Sequence, residues 1–173
     1  MSRKDNSTCR QINFFEDHFE HSCPATQEAV LNSWAGPFGD RFFPLIDEAI
    51  FDPLYSSSGR PSAPINLLYG ACLLQQLLHI SDEELFLRIM TDLTFQYALH
   101  TTTNEMPPFS KTTFRRFKTK LVTHYIATDN DLFNMCTVNI LNRLKTEDNP
   151  IPLFLRRAGK LTADSLRPTA KNQ

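Results

Sequence analysis

"SSSGRPSAPINLLYGACLLQQLLHISDEEL", residues 56–85, decides how the fold is read. Pro64 suits a first helical turn, because its missing N–H is one that a helix start leaves unpaired in any case. Leu67, Ala71, Leu74 and Leu78 recur at i, i+4, i+7 and i+11, with Leu68, Cys72 and Gln75 beside them. An apolar face that broad belongs to a helix in the middle of a bundle. Ser81-Asp82-Glu83-Glu84 then reads as a capping box. Ser81 caps a second helix and Glu84 bonds back to the cap. Leu85, Ile89 and Leu93 continue that helix's buried face.

The same logic extends in both directions. Residues 1–22 read as a flexible polar arm. A helix starts at Pro24, "PATQEAVLNSWAG", with Ala29, Val30 and Trp34 inward and Gly36 ending it. "PFGDRFFPLIDEAI" is a second short apolar segment, and residues 52–63 form a connector rich in Pro, Ser and Gly. Downstream, residues 100–109 form a loop, and Ser110 caps a helix running to about Ala127. Asp129, Asn130 or Asp131 caps another, "LFNMCTVNILNRLKTE", and Asn149-Pro150 breaks the pattern. The expected fold class is all-α: a helical bundle over 23–150, between an arm at 1–22 and a piece at 151–173. In that last piece "GKLTADS" is β-like and a basic tail follows, so it reads as a short disordered or β-like remnant.

Composition narrows the function classes. A chain of 173 residues can bury one core, and 41% hydrophobic with 21% charged residues is ordinary for a globular domain. Fourteen phenylalanines predict an aromatic-rich interior. The net charge of −1 argues for no partner, so charge has to be read locally. The longest apolar run, 67–74, is interrupted by Tyr69 and Gly70 and falls short of the roughly 20 residues of a membrane span. The N-terminal stretch has no apolar signal-peptide core, so the chain is expected in the cytoplasm, with no membrane partner.

Cys9, Cys23, Cys72 and Cys136 contain no C-x-x-C pair. Cys72 and Cys136 fall inside apolar helical patterns and read as buried small hydrophobes, and disulfides are not expected. His18, His21 and Cys23 lie close together but lack a second ligand pair. Asp129 and Asp131 read as caps rather than paired catalytic carboxylates. No phosphate loop or nucleophile elbow occurs, so no cofactor and no metal site is assigned.

"SKTTFRRFKTKL", residues 110–121, carries the chemistry. It holds Lys111, Arg115, Arg116, Lys118 and Lys120 and no acidic residue. At 100° per residue Phe114, Phe117, Leu121 and Tyr125 share one face, and Thr112, Arg115, Arg116 and Thr119 lie toward the other. Lys111 and Lys118 flank the apolar stripe. A major-groove helix needs this combination: cations for phosphates, arginine for guanine, threonine for base edges or a thymine methyl. A basic amphipathic surface helix without a ligand has the same pattern. The ten-residue loop before it is also longer than the turn of a compact helix-turn-helix. Arg60, in the Gly-Arg-Pro-Ser turn, is a second phosphate-contact candidate, although the turn also serves simply to lead into Pro64.

Taken in order, these pieces resemble a known family. Gly59-Arg60-Pro61-Ser62, the Ser81-Asp82-Glu83-Glu84 start, Asp92-Leu93-Thr94-Phe95-Gln96-Tyr97 and Ser110-Lys111-Thr112-Thr113-Phe114-Arg115-Arg116-Phe117 look like the N-terminal domain of bacterial insertion-sequence transposases, the InsH type that precedes a DDE catalytic domain. The resemblance covers roughly residues 40–125. It implies a helical domain that helps to recognise the DNA ends of the element, read here through Lys111, Thr112, Arg115, Arg116, Lys118, Thr119 and Lys120, with Arg60. The family's catalytic domain opens with a strand bearing a magnesium-binding aspartate, usually followed by Ser-Thr. Asp164-Ser165 stands at the matching place, but Leu166 replaces the threonine. The second aspartate and the glutamate have no counterpart, and one carboxylate cannot hold two metal ions. The resemblance therefore implies a transposase cut short, binding DNA without catalysis.

Two other readings stay open. The chain can be part of a split or frameshifted DDE transposase completed by a second product. It can also be a helical interaction module that oligomerises with itself or with full-length transposase, for which an exposed apolar face on residues 131–148 or 24–50 would speak.

Overall fold

The computed structural model describes residues 17–55, 63–102, 107–145 and 151–167, and every regular element among them is helical. In chain order these are α1 (Pro24–Asn32), the single turn α2 (Ala35–Pro37), α3 (Ile65–Leu78), α4 (Asp82–Thr91), α5 (Leu93–Ala98), α6 (Lys111–Thr128), α7 (Leu132–Lys145) and the short α8 (Leu153–Arg156). A π-helical turn (Phe38–Phe42) and two 3₁₀ turns (Phe43–Leu45, Glu48–Leu54) lie between α2 and α3, and two further 3₁₀ turns (Ala158–Lys160, Ala163–Leu166) follow α8. Among the described residues the all-α expectation holds. Cys9, most of the expected arm, the 59–62 turn with Arg60, and Asn149-Pro150 lie outside them.

The helix read from the opening stretch is the centre of the molecule. Every residue of α3 from 65 to 75 is buried. A side chain at Gly70 would come within 3.0 Å of Leu99 and 3.1 Å of the Phe43 ring, so glycine is what lets these neighbours close on the helix. The Tyr69 hydroxyl meets that of Thr137, 2.5 Å away, which ties α3 to α7. Phe38, Phe42, Phe51, Phe95, Phe114, Phe117 and Phe133 are all fully buried, which makes the interior aromatic as expected. Cys72 and Cys136 are buried and free, and burial pushes both thiols up, Cys136 to about 12.

Local chemistry sets the helix ends. His79 takes a left-handed conformation, φ 53°, and closes α3 with a bond from its N–H to the Gln75 carbonyl. Ser81 accepts the Glu84 N–H at 3.1 Å, as expected of a cap. The reciprocal half of the box is not made. Glu84 pairs instead with Arg88, one turn along the same face, at 2.6 Å. The expected single helix through Leu93 is also interrupted. Asp92 is extended (φ −107°, ψ 113°) and its carboxylate accepts the Thr94 N–H at 2.8 Å, starting α5 as a separate helix. Asp129, φ 55°, ends α6, and Asp131 is the residue that caps α7, accepting the Asn134 N–H at 2.9 Å.

The N-terminal reading needs two corrections. α1 ends at Asn32 and Ala29 is exposed, so that Val30 is its one buried residue. Gly36 does not end α1 but sits in α2, where a Cβ would lie 2.1 Å from the Leu31 carbonyl oxygen. Residues 17–22, assigned to the arm, are docked. Phe19 lies 4.5 Å from the Tyr97 ring, the His18 N–H donates to the Thr102 carbonyl at 3.1 Å, and Thr102 donates to Asp17 at 3.0 Å.

The C-terminal segment also differs from its β-like reading. Residues 158–166 fold into 3₁₀ turns closed by Lys160 N–H to Arg157 and Ser165 N–H to Thr162. No neighbouring strand is available among the described residues to pair with it, so the backbone satisfies itself locally and through α7. Asn134 donates to the Leu161 carbonyl at 2.7 Å, and Asp131 accepts the Ala163 N–H at 2.8 Å. Ala158, Ala163 and Leu166 are buried, and the last turn packs against α6.

Candidate nucleic-acid interface

Helix α6 is 18 residues long and carries no acidic side chain. Ser110 caps it, accepting the Thr113 N–H at 3.1 Å. Its inner stripe packs as the 100° spacing predicts. Phe114 stacks on Phe109 with centroids 5.8 Å apart and meets Phe86 edge-on, Phe117 meets Phe51 edge-on, and Leu121 is buried. Thr112, Arg115, Arg116 and Thr119 are exposed, together with Lys111, Lys120 and Thr123. α6 does not follow α5 through a tight turn, since residues 99–110 separate the two helices; it packs on α3, and its side chains meet α4 through Phe114 with Phe86 and Lys118 with Asp82.

The cations of α6 have three different environments. Lys118 points inward, with its side chain 15% exposed. Its ammonium donates to Asp82 at 2.6 Å and to Gln75 at 3.2 Å, and lies 4.6 Å above the Phe114 ring. Arg115 is 59% exposed and held on one side: Nε donates to Asp82 Oδ2 at 3.1 Å, and Nη2 lies 3.6 Å from Glu83. Lys120 donates to the Leu54 carbonyl at 3.1 Å and sits 4.1 Å over the Tyr55 ring. Among the described residues Arg116 has no ion-pair or hydrogen-bond partner, and Lys111 rests 5.7 Å above Phe86. Thr119, although exposed, donates its hydroxyl proton to the Arg115 carbonyl at 3.0 Å.

Asp82 is the centre of this arrangement, joining α3, α4 and α6. It accepts from Gln75 at 2.7 Å, from Lys118 and from Arg115. Burial alone would raise its carboxyl; the hydrogen bonds from Lys118 and Gln75 and the Lys118 charge outweigh that and hold it below its ordinary value of 3.8. The sequence showed Asp82 only as part of a helix start. Its link to Lys118 spans 36 positions and follows no period.

Asp164, the candidate first metal-binding carboxylate, is half-exposed in the last 3₁₀ turn and pairs with Arg167 at 2.7 Å. No group of three His, Cys, Asp or Glu side chains that could hold a metal ion occurs among the described residues. These residues therefore do not fit the magnesium site that the resemblance implies. No described helix is long and apolar enough to cross a membrane. Arg60 lies outside the described residues, which break off at Tyr55, the residue beneath Lys120.

The family described as Transposase domain (DUF772) matches residues 32–120, just over half of the 173. That span takes in α2 through α5 and the first half of α6, with every basic candidate, and stops short of Asp164. No curated protein and no solved structure matches the chain.

Proposed function

Since the chain belongs to the transposase domain family DUF772, we propose that it serves transposition by binding the DNA ends of its element through the exposed face of α6. The observation that carries this reading is a long, acid-free helix, rigidly anchored by aromatic rings, whose outer face presents Thr112, Arg115, Arg116, Thr119 and Lys120 to solvent. Among the described residues Lys111, Arg116 and Lys120 have no carboxylate partner, which suits them to phosphates. Lys118 works from inside by holding the helix in place. Arg60 stays a phosphate-contact candidate in the segment after Tyr55.

Binding rather than catalysis is the proposed role. Asp164 is engaged by Arg167, and the InsH-type DDE chemistry would need carboxylates that these residues do not bring together. The test is a salt-dependent binding titration of wild type, Lys111→Ala and Arg116→Ala on duplex DNA. Each variant is expected to bind more weakly on all sequences and to flatten the salt slope by about one unit per lost phosphate contact. No wild-type binding at low salt would overturn the reading. Metal-dependent DNA cleavage lost in Asp164→Ala would overturn the non-catalytic part.

One observation favours a second reading, an interaction module that joins copies of itself or full-length transposase. Met135 and Val138, one turn apart on α7, and Leu31 on α1 are exposed large apolar side chains. A concentration-dependent dimer abolished by Val138→Glu, with no DNA binding, would support it.

A further inference from the structure

We propose that Asp82 is a positioning residue for DNA recognition: it fixes the Arg115 guanidinium so that its free end can bond both acceptors of a guanine edge. The proposal rests on α6 being the DNA-reading helix. A guanidinium has two bonding edges. Asp82 and Glu83 take the side edge of Arg115, through Nε at 3.1 Å and Nη2 at 3.6 Å. Nη1 has no partner among the described residues, and the side chain is 59% exposed on a helix whose Thr112 and Thr119, one turn before and one turn after, are exposed as well. Arginine reads guanine through O6 and N7 with this kind of paired donor edge.

Asp82 can hold that orientation because it is itself held. Gln75 and Lys118 bond its other oxygen, and its side chain is 17% exposed. The carboxylate is thus part of the packed junction of α3, α4 and α6, and the guanidinium plane is referenced to the core rather than to a mobile surface chain. Preorganisation of this kind lowers the entropy that recognition has to overcome.

Two features select a base over a phosphate. The exposed Glu83 carboxylate beside Arg115 repels the full charge of a phosphodiester more strongly than the uncharged edge of guanine. Lys111, Arg116 and Lys120, which have no carboxylate partner among the described residues, are available for phosphate contacts on the same helix. Among the described residues Arg115 is the one α6 cation that is both paired with a carboxylate and largely exposed.

The experiment is selection of binding sites from randomised double-stranded DNA, followed by titration on the selected duplex and on copies with single base changes. Wild type, Arg115→Ala, Arg115→Lys, Asp82→Asn and the double variant Asp82→Asn/Arg115→Ala are compared, with thermal unfolding of each. Wild type is expected to select at least one guanine position. Arg115→Lys, which keeps the charge and loses the fork, and Asp82→Asn are both expected to lose about tenfold discrimination at that position alone. In the Arg115→Ala background Asp82→Asn is expected to add nothing, whereas a general structural role for Asp82 would still show.

Asp82→Asn binding all sequences more tightly with its guanine preference intact would make Asp82 a mere competitor for Arg115 and overturn the proposal. An even loss on all sequences with a shallower salt slope in Arg115→Ala would make Arg115 a phosphate contact and overturn it too. If Asp82→Asn does not fold, unchanged guanine preference in Arg115→Lys overturns the proposal by itself. Failure of wild type to bind any DNA removes the underlying reading instead.

Discussion

Arg116 and Lys118 stand two positions apart on one helix and serve opposite ends. Two residues turn a helix by about 200°, so one side chain goes to solvent and the other into the junction of α3, α4 and α6. Arg116 has no polar partner among the described residues, and Arg116→Ala is expected to change stability by no more than about 0.5 kcal/mol. Lys118→Ala leaves Asp82 and Gln75 short of a donor in a largely buried place. A cost of about 2 kcal/mol is expected, below the range for fully buried pairs because both side chains keep some water contact. Chemical denaturation of the two variants measures this. Equal stabilities would show that the Lys118–Asp82 pair contributes nothing to the fold.

At the scale of elements, α4 is a helix whose first turn faces two ways. Asp82, Glu83 and Glu84 favour its N-terminus through the helix dipole, and Asp82 and Glu83 also face α6. The Asp82 carboxyl is held below its ordinary value, so the folded state binds its proton less readily than the unfolded chain does. The contribution is therefore fully present above the unfolded value of 3.8 and is lost as pH falls below it toward the folded value. Denaturant midpoints between pH 6 and pH 3 are expected to fall for wild type, and to fall less steeply for Asp82→Asn, which has no proton to take up. Parallel curves for the two proteins would remove Asp82 as a source of acid sensitivity.

For the whole molecule, the question is whether residues 151–167 belong to the helical body. Ile151, Leu155, Ala158, Ala163 and Leu166 are buried, and α7 holds the backbone of 159–163 through Asp131 and Asn134. Amide exchange at Ala163 is therefore expected to be protected well beyond that of a free chain, and Asp131→Ala is expected to release it. The same substitution removes the α7 cap, worth about 1 kcal/mol, so global stability should drop by about that much as well. Rapid exchange at Ala163 in wild type would show the segment undocked.

The α6 face and the four main helices could be read from the sequence because each depends on neighbours a few residues away. Apolar spacing at three and four residues located α3 and the inner stripe of α6, and Ser81 and Ser110 stood where their hydroxyls cap a first turn. Where a local choice was close, the fold decided it. Asp92 split one expected helix into two, Glu84 preferred Arg88 to its cap, and the β-like 160–165 stretch, with no partner strand among the described residues, closed into turns. Which cations of α6 remain free was also a tertiary outcome. Lys118 and Arg115 meet Asp82 across separations of 36 and 33 residues, and Lys120 meets Leu54 across 66. Periodicity determines which way a side chain faces, because the helix repeats. What waits there depends on how distant helices pack, and no local spacing encodes that.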